Sequence, residues 1–455
     1  MKTNSLILAF FLLSFTYAFG QDEWTTTNLS AYRYQMGSTA LGNKVYFGGG
    51  SIVTGISSLV DIYDINSQQW TSDHFDIARS FPVAVSCGSK VFFAGGILSS
   101  GATTSSVQIF DTLTQLWSSA QLSQARFSMA AVSKGNMVVF AGGGDLSMEK
   151  EYAVVDIYNT ETDQWTTATL SEARGAMGST VIGELAFFAG GFNFTTGTVT
   201  DKIDIYNFST GTWSTAMLSE PRFFIGAVTV GNKALFAGGS DANGVPSRRV
   251  DIYDITTNTW SIDSLSVARG FLEDENTASV CGRAYFVGGM TIETENYTFT
   301  GDFNVIDIYD EVSGNWSTGS LPYNLFDHSV ASAGNHLLIA GGGTLSGEYI
   351  QLHAQVNILT CTTVSIEEVP NQLTAVNLYP NPATGFITFD LAKVAATKAE
   401  LFIYNTSGVL RIQLPVTHSA QLQISVDDIG SDGMYFYTVR TDDQQFFAGK
   451  FIIQR

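Results

Sequence analysis

The stretch that decides the fold reads AFFAGG at 186–191, DKIDIYN at 201–207 and GTW at 211–213, with Arg222 nine residues after the tryptophan. A glycine pair ends an apolar run seven times, at Gly48-Gly49, Gly95-Gly96, Gly142-Gly143, Gly190-Gly191, Gly238-Gly239, Gly288-Gly289 and Gly341-Gly342. All seven tryptophans lie in one register of this unit: Trp24, Trp70, Trp117, Trp165, Trp213, Trp260 and Trp316. A recurring period of this length predicts a repeat architecture.

Each unit contains four predicted short strands. The unit around residue 238 reads FFIGAVTV at 223–230, KALFAGG at 233–239, RVDIYD at 249–254 and a last strand expected to end at the tryptophan. The strands are nearly continuous in apolar residues, which indicates burial on both faces. Helical periodicity is absent, so the units predict an all-β protein whose sheets pack face to face.

These residues resemble the kelch repeat, which combines a glycine pair, Val-Asp-Ile-Tyr-Asp, a tryptophan and an arginine before the next unit. The resemblance covers residues 24 to about 360 and implies a seven-bladed β-propeller. The seventh unit has no tryptophan after its third strand at 355–358, whereas Trp24 precedes the first unit. We therefore expect the N-terminal segment to complete the last blade, so that the propeller occupies residues 21–360 without exposed strand edges.

The two ends of the chain carry different signals. Residues 1–20 hold one charge, Lys2, an apolar run and small residues at Ala18 and Gly20, a pattern typical of a secretory signal peptide. No other stretch is long and apolar enough to span a bilayer. Residues 361–373 are expected to be a linker, and the alternating strands of 374–455 predict a small β-sandwich.

The C-terminal module opens with Tyr-Pro-Asn-Pro at 379–382, contains Gly433-Met434-Tyr435 and ends in Lys-Phe-Ile-Ile-Gln-Arg. It resembles the C-terminal sorting domain of type IX secretion substrates. The resemblance implies that the secretion machinery is a partner of this module. It also implies export through the periplasm and outer membrane of a Bacteroidetes-type bacterium, followed by release or attachment to the cell surface.

The net charge and the cysteine content make some partners and some kinds of site unfavourable. The chain has 22 basic and 42 acidic residues, for a net charge of −20, which disfavours nucleic acid or anionic membranes as partners. Cys87 and Cys281 both precede a hairpin glycine, in the second and sixth units, and Cys361 follows the last unit. Because those units are not neighbours, free packed thiols are favoured over a bridge or a metal site.

Six units place an arginine nine residues after the tryptophan: Arg33, Arg79, Arg126, Arg174, Arg222 and Arg269. This position opens the first strand, the one nearest the propeller axis. A ring of guanidinium groups at the channel mouth would recognise carboxylate or sulfate groups. The alternative is that each arginine pairs with an acid or a carbonyl of its own blade.

The repeat is broken in its last two units. Leu325 replaces the arginine and is followed by Asp327 and His328, His353 lies in a loop of the same face, and the sixth unit inserts residues 273–275, Glu-Asp-Glu. Histidines and carboxylates together would bind a metal or move protons, and scattered surface residues are the alternative. No phosphate loop, EF-hand or HExxH pattern occurs, so neither a cofactor nor a metal is expected.

The sequence therefore favours an exported, non-catalytic binding module for a glycan, a peptide or an envelope component. The alternative is a carbohydrate-active enzyme with its site on the arginine-bearing face. The fold does not decide between these two functions.

Overall fold

A computed structural model describes residues 22–361 and 376–455, apart from 146–149, 294–297, 347–348, 393, 395–398, 406–409, 417–420 and 442–445. The chain divides into two compact units, residues 1–363 and 364–455. The predicted signal peptide, and the predicted linker from residue 362 onward, lie outside the described residues.

The first unit is built from seven antiparallel blades, of which six have four strands and blade six has a fifth. Blades one and two contain the strands Gly37–Leu41, Lys44–Gly48, Leu59–Asp64, Gln69–His74, Val83–Cys87, Lys90–Ala94, Ser106–Asp111 and Leu116–Gln121. Blades three and four contain Ala130–Lys134, Met137–Ala141, Val154–Asn159, Gln164–Thr169, Gly178–Ile182, Leu185–Ala189, Lys202–Asn207 and Thr212–Met217. The seven-bladed kelch-type fold expected from the repeat is confirmed.

Blade five contains Gly226–Val230, Lys233–Ala237, Arg249–Asp254 and Thr259–Ser264, and blade six contains Thr277–Val280, Arg283–Val287, Thr298–Asp310 and Trp316–Leu325. Blade seven joins Ser329–Ala333, His336–Ala340 and Gln355–Thr360 to the N-terminal strand Glu23–Asn28, which is its outermost strand. The ring is thus closed by strands from the two ends of the propeller.

Short additions lie on the face where the second strand of each blade ends. Two-stranded hairpins are formed by Ser51–Ile52 with Gly55–Ile56, Gly144–Asp145 with Lys150–Glu151, Phe192–Asn193 with Thr198–Val199, and Gly343–Ser346 with Tyr349–Leu352. In blade six, Met290–Glu293 pairs with the long third strand, and the 3₁₀ turn Asp274–Asn276 precedes the first strand. We call this face the loop face; the tight turns between first and second strands lie on the opposite face.

The tryptophan of each unit lies near the start of the fourth strand, not at its end as the sequence suggested. Trp213 is the second residue of its strand and lies opposite Tyr206, with 5.0 Å between the ring centroids. The reason is that the turn before this strand is short, and the residues after the tryptophan continue the ladder to Met217.

Buried apolar clusters lie between successive blades. The cluster between blades three and four joins Val139 and Ile157 to Phe188, and a further cluster joins blades seven and one. Hydroxyl groups on the first strands also tie the blades together around the channel. Ser86 Oγ donates to the Ala40 carbonyl at 2.7 Å, and Ser38 Oγ donates to the Val330 carbonyl at 3.1 Å across the closure.

The second unit is a small β-sandwich. One sheet contains Asn377–Tyr379, Phe386–Asp390 and Gln421–Ser425; the other contains Ala399–Asn405, Leu410–Val416, Gly433–Thr441 and Phe446–Ile453, and a short helix spans Val426–Ile429. Its core is formed by fully buried side chains from both sheets, among them Phe389, Leu401 and Phe451. The predicted sandwich is therefore confirmed.

The exposure of Trp24 yields the first prediction. Trp24 is 45% exposed and lies opposite Leu359, whereas Trp70 is partly buried, packs on Tyr63 and donates its Nε1–H to Thr27 at 3.0 Å. We expect Trp24→Ala to cost about 1 kcal/mol of unfolding free energy and Trp70→Ala about 3 kcal/mol. Chemical denaturation measures both values, and equal costs would contradict the unequal packing of the two rings.

Candidate functional site

The six arginines do not form an exposed ring. Their relative exposure is 0 to 1% in every case, for Arg33, Arg79, Arg126, Arg174, Arg222 and Arg269. The expectation of guanidinium groups open to an anion at the channel mouth is therefore corrected. Each side chain turns into its own blade, where its N–H groups donate to backbone carbonyl groups of the second and third strands, as Arg269 does to Gly288 and Val305.

Arg174 shows the arrangement. Its Nε donates to the Gly190 carbonyl at 2.8 Å, and its Nη2 donates to the Phe188 carbonyl at 3.2 Å and lies 2.7 Å from the carboxylate of Asp204. Five blades pair the arginine with the aspartate of the third strand: Arg33 with Asp61, Arg126 with Asp156, Arg174 with Asp204, Arg222 with Asp251 and Arg269 with Asp307. In these five blades the aspartate neutralises the buried charge, which offsets the cost of removing the guanidinium from water.

The aspartates have a second partner. The backbone N–H of Ser171, in the segment that enters the blade, donates to Asp204 at 3.1 Å. Equivalent bonds from serine N–H groups reach Asp61, Asp156, Asp251 and Asp307. Each carboxylate thus links the incoming chain, the third strand and the arginine.

Two blades depart from this arrangement. In blade seven the serine, aspartate and arginine positions are occupied by Pro322, Asn357 and Leu325, so the N–H donor and both charges are absent together. In blade two, Gln108 replaces the aspartate while Arg79 remains and donates to the Ser106 carbonyl at 2.7 Å. Burial lowers the pKa of Arg79 to about 10, which the charge of Asp76 opposes.

The residue two positions after each arginine lies at the channel mouth. In all seven blades it has a positive φ, between 48° and 59°: Gln35, Phe81, Ser128, Ala176, Phe224, Phe271 and Asp327. Non-glycine residues rarely adopt this conformation, so the surrounding backbone must hold it. We call these seven residues the mouth ring.

Backbone hydrogen bonds fix the mouth ring on both sides. The residue before each ring member pairs with the loop after the glycine pair, as Phe223 does with Ser240 at 2.9 and 3.0 Å. Many ring members also donate to the previous blade, such as Phe224 N–H to the Ala176 carbonyl at 2.9 Å and Gln35 N–H to the Asp327 carbonyl at 2.9 Å. The ring side chains are therefore presented by a rigid scaffold.

The mouth ring surrounds a cavity of about 520 Å³ that continues along the first strands. Its lining is largely apolar: Met36, Phe81, Pro82, Val83, Phe127, Met129, Met177, Phe194, Phe224, Phe271 and Met290. The rings of Phe224 and Phe271 stack with 4.0 Å between centroids, and Phe194 is 50% exposed. Among the described residues that line it, none is a lysine or an arginine.

Four carboxyl groups line one side of this cavity, and blade six supplies three of them through its insertion. Asp274 is held across the channel, since it accepts hydrogen bonds from Ser179 N–H at 2.8 Å, Ser179 Oγ at 2.6 Å and Ala227 N–H at 3.1 Å. This contact places Glu273 and Glu275 at the cavity wall. No side chain of the described residues donates a hydrogen bond to the Glu273 carboxyl group.

The acids raise one another's pKa. Burial raises the pKa of Glu273 well above its ordinary value, and the charge of Glu275 adds to this effect. Burial also raises the pKa of Asp327 to about 6, although a 2.9 Å hydrogen bond from Gln35 Nε2 opposes the shift. Such an arrangement is unfavourable for the free protein at neutral pH, and perturbed carboxyl groups of this kind are frequent at functional sites.

The two predicted histidines are separated. His328 lines the cavity wall but is 1% exposed. Its Cε1 packs against Gly288, so close that a Cβ on this glycine would collide with it. In other blades, apolar side chains pack against the equivalent glycine. Burial lowers its pKa to about 3, so the ring is neutral. His353 stacks on Tyr323 with 4.3 Å between centroids and shares a 2.7 Å hydrogen bond with Thr344, and it does not line the cavity.

Asp327 is the predicted residue whose carboxyl group belongs to the cavity. The sequence analysis missed the remaining six members of the mouth ring. A sequence signal for them exists, since each lies two positions after the arginine. Within the described ranges, no group of three or more histidine, cysteine, aspartate or glutamate side chains is arranged to hold a metal ion.

Two family models match this chain. Residues 82–262 match the KLHDC2/KLHL20/DRC7 Kelch-repeats domain, and residues 377–454 match the Secretion system C-terminal sorting domain. Comparison with curated proteins found no match. The chain is thus a kelch-repeat β-propeller protein with a type IX sorting domain. The sorting domain indicates export to the cell surface or the extracellular space and an interaction with the secretion machinery.

Helices in the described part of the chain are too short to cross a membrane, and none has the apolar length that a span requires.

The buried ion pairs yield the second prediction. Arg174→Ala leaves the carboxylate of Asp204 buried without its counter-charge, and we expect a loss of about 3 kcal/mol in unfolding free energy. The double variant Arg174→Leu with Asp204→Asn copies the Leu325 and Asn357 of blade seven. Because it removes both charges, it should recover more than half of that loss in chemical denaturation, and a larger loss than in the single variant would contradict a pairing role.

The acids yield the third prediction. Because the folded-state pKa of Asp327 is about 6, above the ordinary value near 3.8, the folded chain holds this proton more tightly than the unfolded chain. Stability therefore falls as the pH rises from about 4 to about 6. Asp327→Asn should raise the unfolding free energy by about 1 kcal/mol at pH 7.5 and leave it unchanged at pH 4.

Asp254 provides the control of opposite sign. Hydrogen bonds from the side chain and backbone of Thr256 lower the pKa of Asp254 to about 2. Its ionised form is thus favoured in the folded chain, and Asp254→Asn should destabilise the protein at pH 7.5. Melting curves at both pH values test the pair, and a destabilising Asp327→Asn at pH 7.5 would show that the carboxylate is not strained.

Proposed function

We propose that the exported propeller is a binding module that takes a positively charged group of its ligand, flanked by apolar surface, into the cavity at the mouth ring. The observation that supports this most directly is the composition of the cavity wall: four carboxyl groups, several phenylalanine rings and no lysine or arginine among the described lining. A cation would relieve the repulsion among the acids and would also interact favourably with aromatic faces.

The ligand class follows from this chemistry. A lysine or arginine side chain of a peptide, or the amino group of a sugar in a glycan or envelope component, carries a cation next to apolar or carbon-rich surface. The cavity of about 520 Å³ is large enough for such a side chain together with its neighbours. The six buried arginines stabilise this site, because they hold the backbone that carries the mouth ring.

The fourth prediction tests the charge preference with matched ligands. The full chain is titrated with peptides that differ only by lysine or norleucine, and with chitosan oligosaccharides before and after N-acetylation. We expect the charged member of a pair to bind at least tenfold more tightly, and its affinity to fall at high salt because the interaction is electrostatic. Preference for the neutral member would contradict the proposal.

Matched variants locate the site. Glu273→Gln should reduce the affinity for the charged ligand about tenfold, since it removes a carboxylate of the cavity wall. Glu161→Gln removes an exposed charge from a turn on the opposite face and should leave the affinity unchanged. Equal effects of the two substitutions would indicate a response to net charge and not to this cavity.

A carbohydrate-active enzyme is the second candidate. It is favoured by one observation, the raised pKa of Glu273 beside further carboxyl groups, because a glycosidase needs one protonated and one ionised acid. Incubation of any bound oligosaccharide with the parent and with Glu273→Gln, followed by analysis of new reducing ends, separates the candidates. Cleavage by the parent alone would establish the enzyme, and binding without cleavage supports the binding module.

A further inference from the structure

Two of the three cysteines meet on the face opposite the cavity. Cys361 directly follows the last strand of blade seven and is 2% exposed, and Cys281 lies in the tight turn between the first two strands of blade six and is exposed. Burial and the Cys281 thiol raise the pKa of the Cys361 thiol, and Cys361 shares a buried cluster with Val280, the residue before Cys281. Both are free thiols in the structure.

The sequence alone did not predict that Cys281 and Cys361 approach each other. Cys87 and Cys281 were expected at equivalent positions, but Cys87 ends a five-residue strand, whereas Cys281 has φ 53° in the turn after a four-residue strand. The first strand of blade six is shorter because the 3₁₀ turn Asp274–Asn276 precedes it. Val280 pairs with Arg283 as Cys87 pairs with Lys90, so Cys281 lies in the turn, one position beyond the strand.

The surroundings hold the two cysteines in place. Cys361 packs in the buried cluster between blades six and seven, together with Val280 and Tyr285 of the hairpin that carries Cys281. Next to them, Arg283 of blade six forms a 2.7 Å ion pair with Asp22, which precedes the strand that closes blade seven. The two segments are thus fixed against each other by packing and by charge.

We propose that Cys281 and Cys361 form an intramolecular disulfide after the chain has left the cytoplasm. The sorting domain directs the chain to the cell surface or the extracellular space, where disulfides form and persist. A disulfide requires the two Cα atoms to lie within about 7 Å of each other, and the buried cluster that contains Cys361 and Val280 brings the two chain segments together. Cys87 has no such partner, because its thiol donates to the Gly135 carbonyl at 3.3 Å inside the contact between blades two and three.

The oxidation is a two-electron thiol–disulfide exchange with an oxidised dithiol protein of the periplasm. The exposed Cys281 thiolate attacks one sulfur of that protein's disulfide, forms a mixed disulfide and releases one thiolate. Cys361 then attacks the sulfur of Cys281 and releases the second thiolate. Two electrons pass to the oxidant, which becomes a dithiol, and the two protons lost by the cysteines are taken up by its sulfurs.

The order of attack follows from exposure. Burial raises the pKa of Cys361 to about 12, and the neighbouring Cys281 thiol adds to this shift. Cys361 is therefore protonated and shielded until Cys281 carries the mixed disulfide beside it. Arg283 lies next to the pair, and its charge favours the thiolate of Cys361 in the second step.

The disulfide would stabilise blade seven, the blade in which the ring is closed. Blade seven is completed by a strand from the N-terminal end of the propeller, which pairs with Gln355–Thr360 and with no other strand of the described residues. A covalent link from the residue after that strand to blade six prevents the last blade from peeling away. It also closes a long segment of chain, from residue 281 to 361, which reduces the conformational freedom of the unfolded state.

The fifth prediction is tested on the full chain recovered from the culture medium or the cell surface and alkylated without a reductant. Under denaturing conditions we expect one reactive thiol per chain, Cys87, and three after reduction. A non-reduced digest should contain a peptide pair linked through Cys281 and Cys361 by mass spectrometry. Reduction should lower the melting temperature by roughly 5 °C.

Substitutions distinguish the bond from packing effects. Cys281→Ser should lower the melting temperature of the unreduced protein and abolish its response to reductant, while Cys87→Ser should keep that response. Because Cys281 is exposed, its replacement is not expected to prevent folding. Three reactive thiols in the exported protein, or a linked peptide that contains Cys87, would overturn the proposal.

Discussion

Burying a guanidinium group inside a β-blade is costly unless its charge and its N–H groups find partners, and in five blades an aspartate of the third strand supplies the counter-charge. The aspartate receives the N–H of the incoming segment, and the arginine satisfies the carbonyls at the glycine pair, as Arg174 does with Gly190. Two residues after the arginine position, the chain adopts the left-handed conformation at the channel mouth in all seven blades. Blade seven lacks all three partners, and its ring member is Asp327, an acid of the cavity.

Much of the fold follows from the sequence because it depends on repeated local chemistry. The glycine pairs, the tryptophan register and the apolar strands define seven equivalent sheets, and the unmatched Trp24 indicates where the missing strand comes from. The functional site cannot be predicted from the sequence in the same way. Spacing places an arginine at the channel mouth but does not show that its side chain turns back into the blade, because that choice depends on the aspartate of a strand about 30 residues away.

The charge of the site also depends on three-dimensional contacts. Arginine positions in six units suggested a surface for anions, whereas the cavity wall is formed by acids and aromatic rings. The insertion at 273–275 is visible in the sequence, but its place above the channel is determined by the bonds of Asp274 to Ser179 and Ala227. The approach of Cys281 to Cys361 was hidden because the hairpin pairing makes Val280, and not Cys281, the equivalent of Cys87.

The left-handed conformation shared by the seven mouth residues limits how such a protein can change its specificity. Valine, isoleucine and threonine adopt this conformation at high cost, and the seven positions hold glutamine, phenylalanine, serine, alanine and aspartate instead. Within that restricted set of residue types, a ring side chain can be exchanged without loss of the backbone hydrogen bonds that maintain the scaffold, whereas partners in contact, such as Phe224 with Phe271 and Gln35 with Asp327, are expected to change together. We therefore expect related propellers to change specificity through the side chains of the mouth ring while they keep the same backbone scaffold.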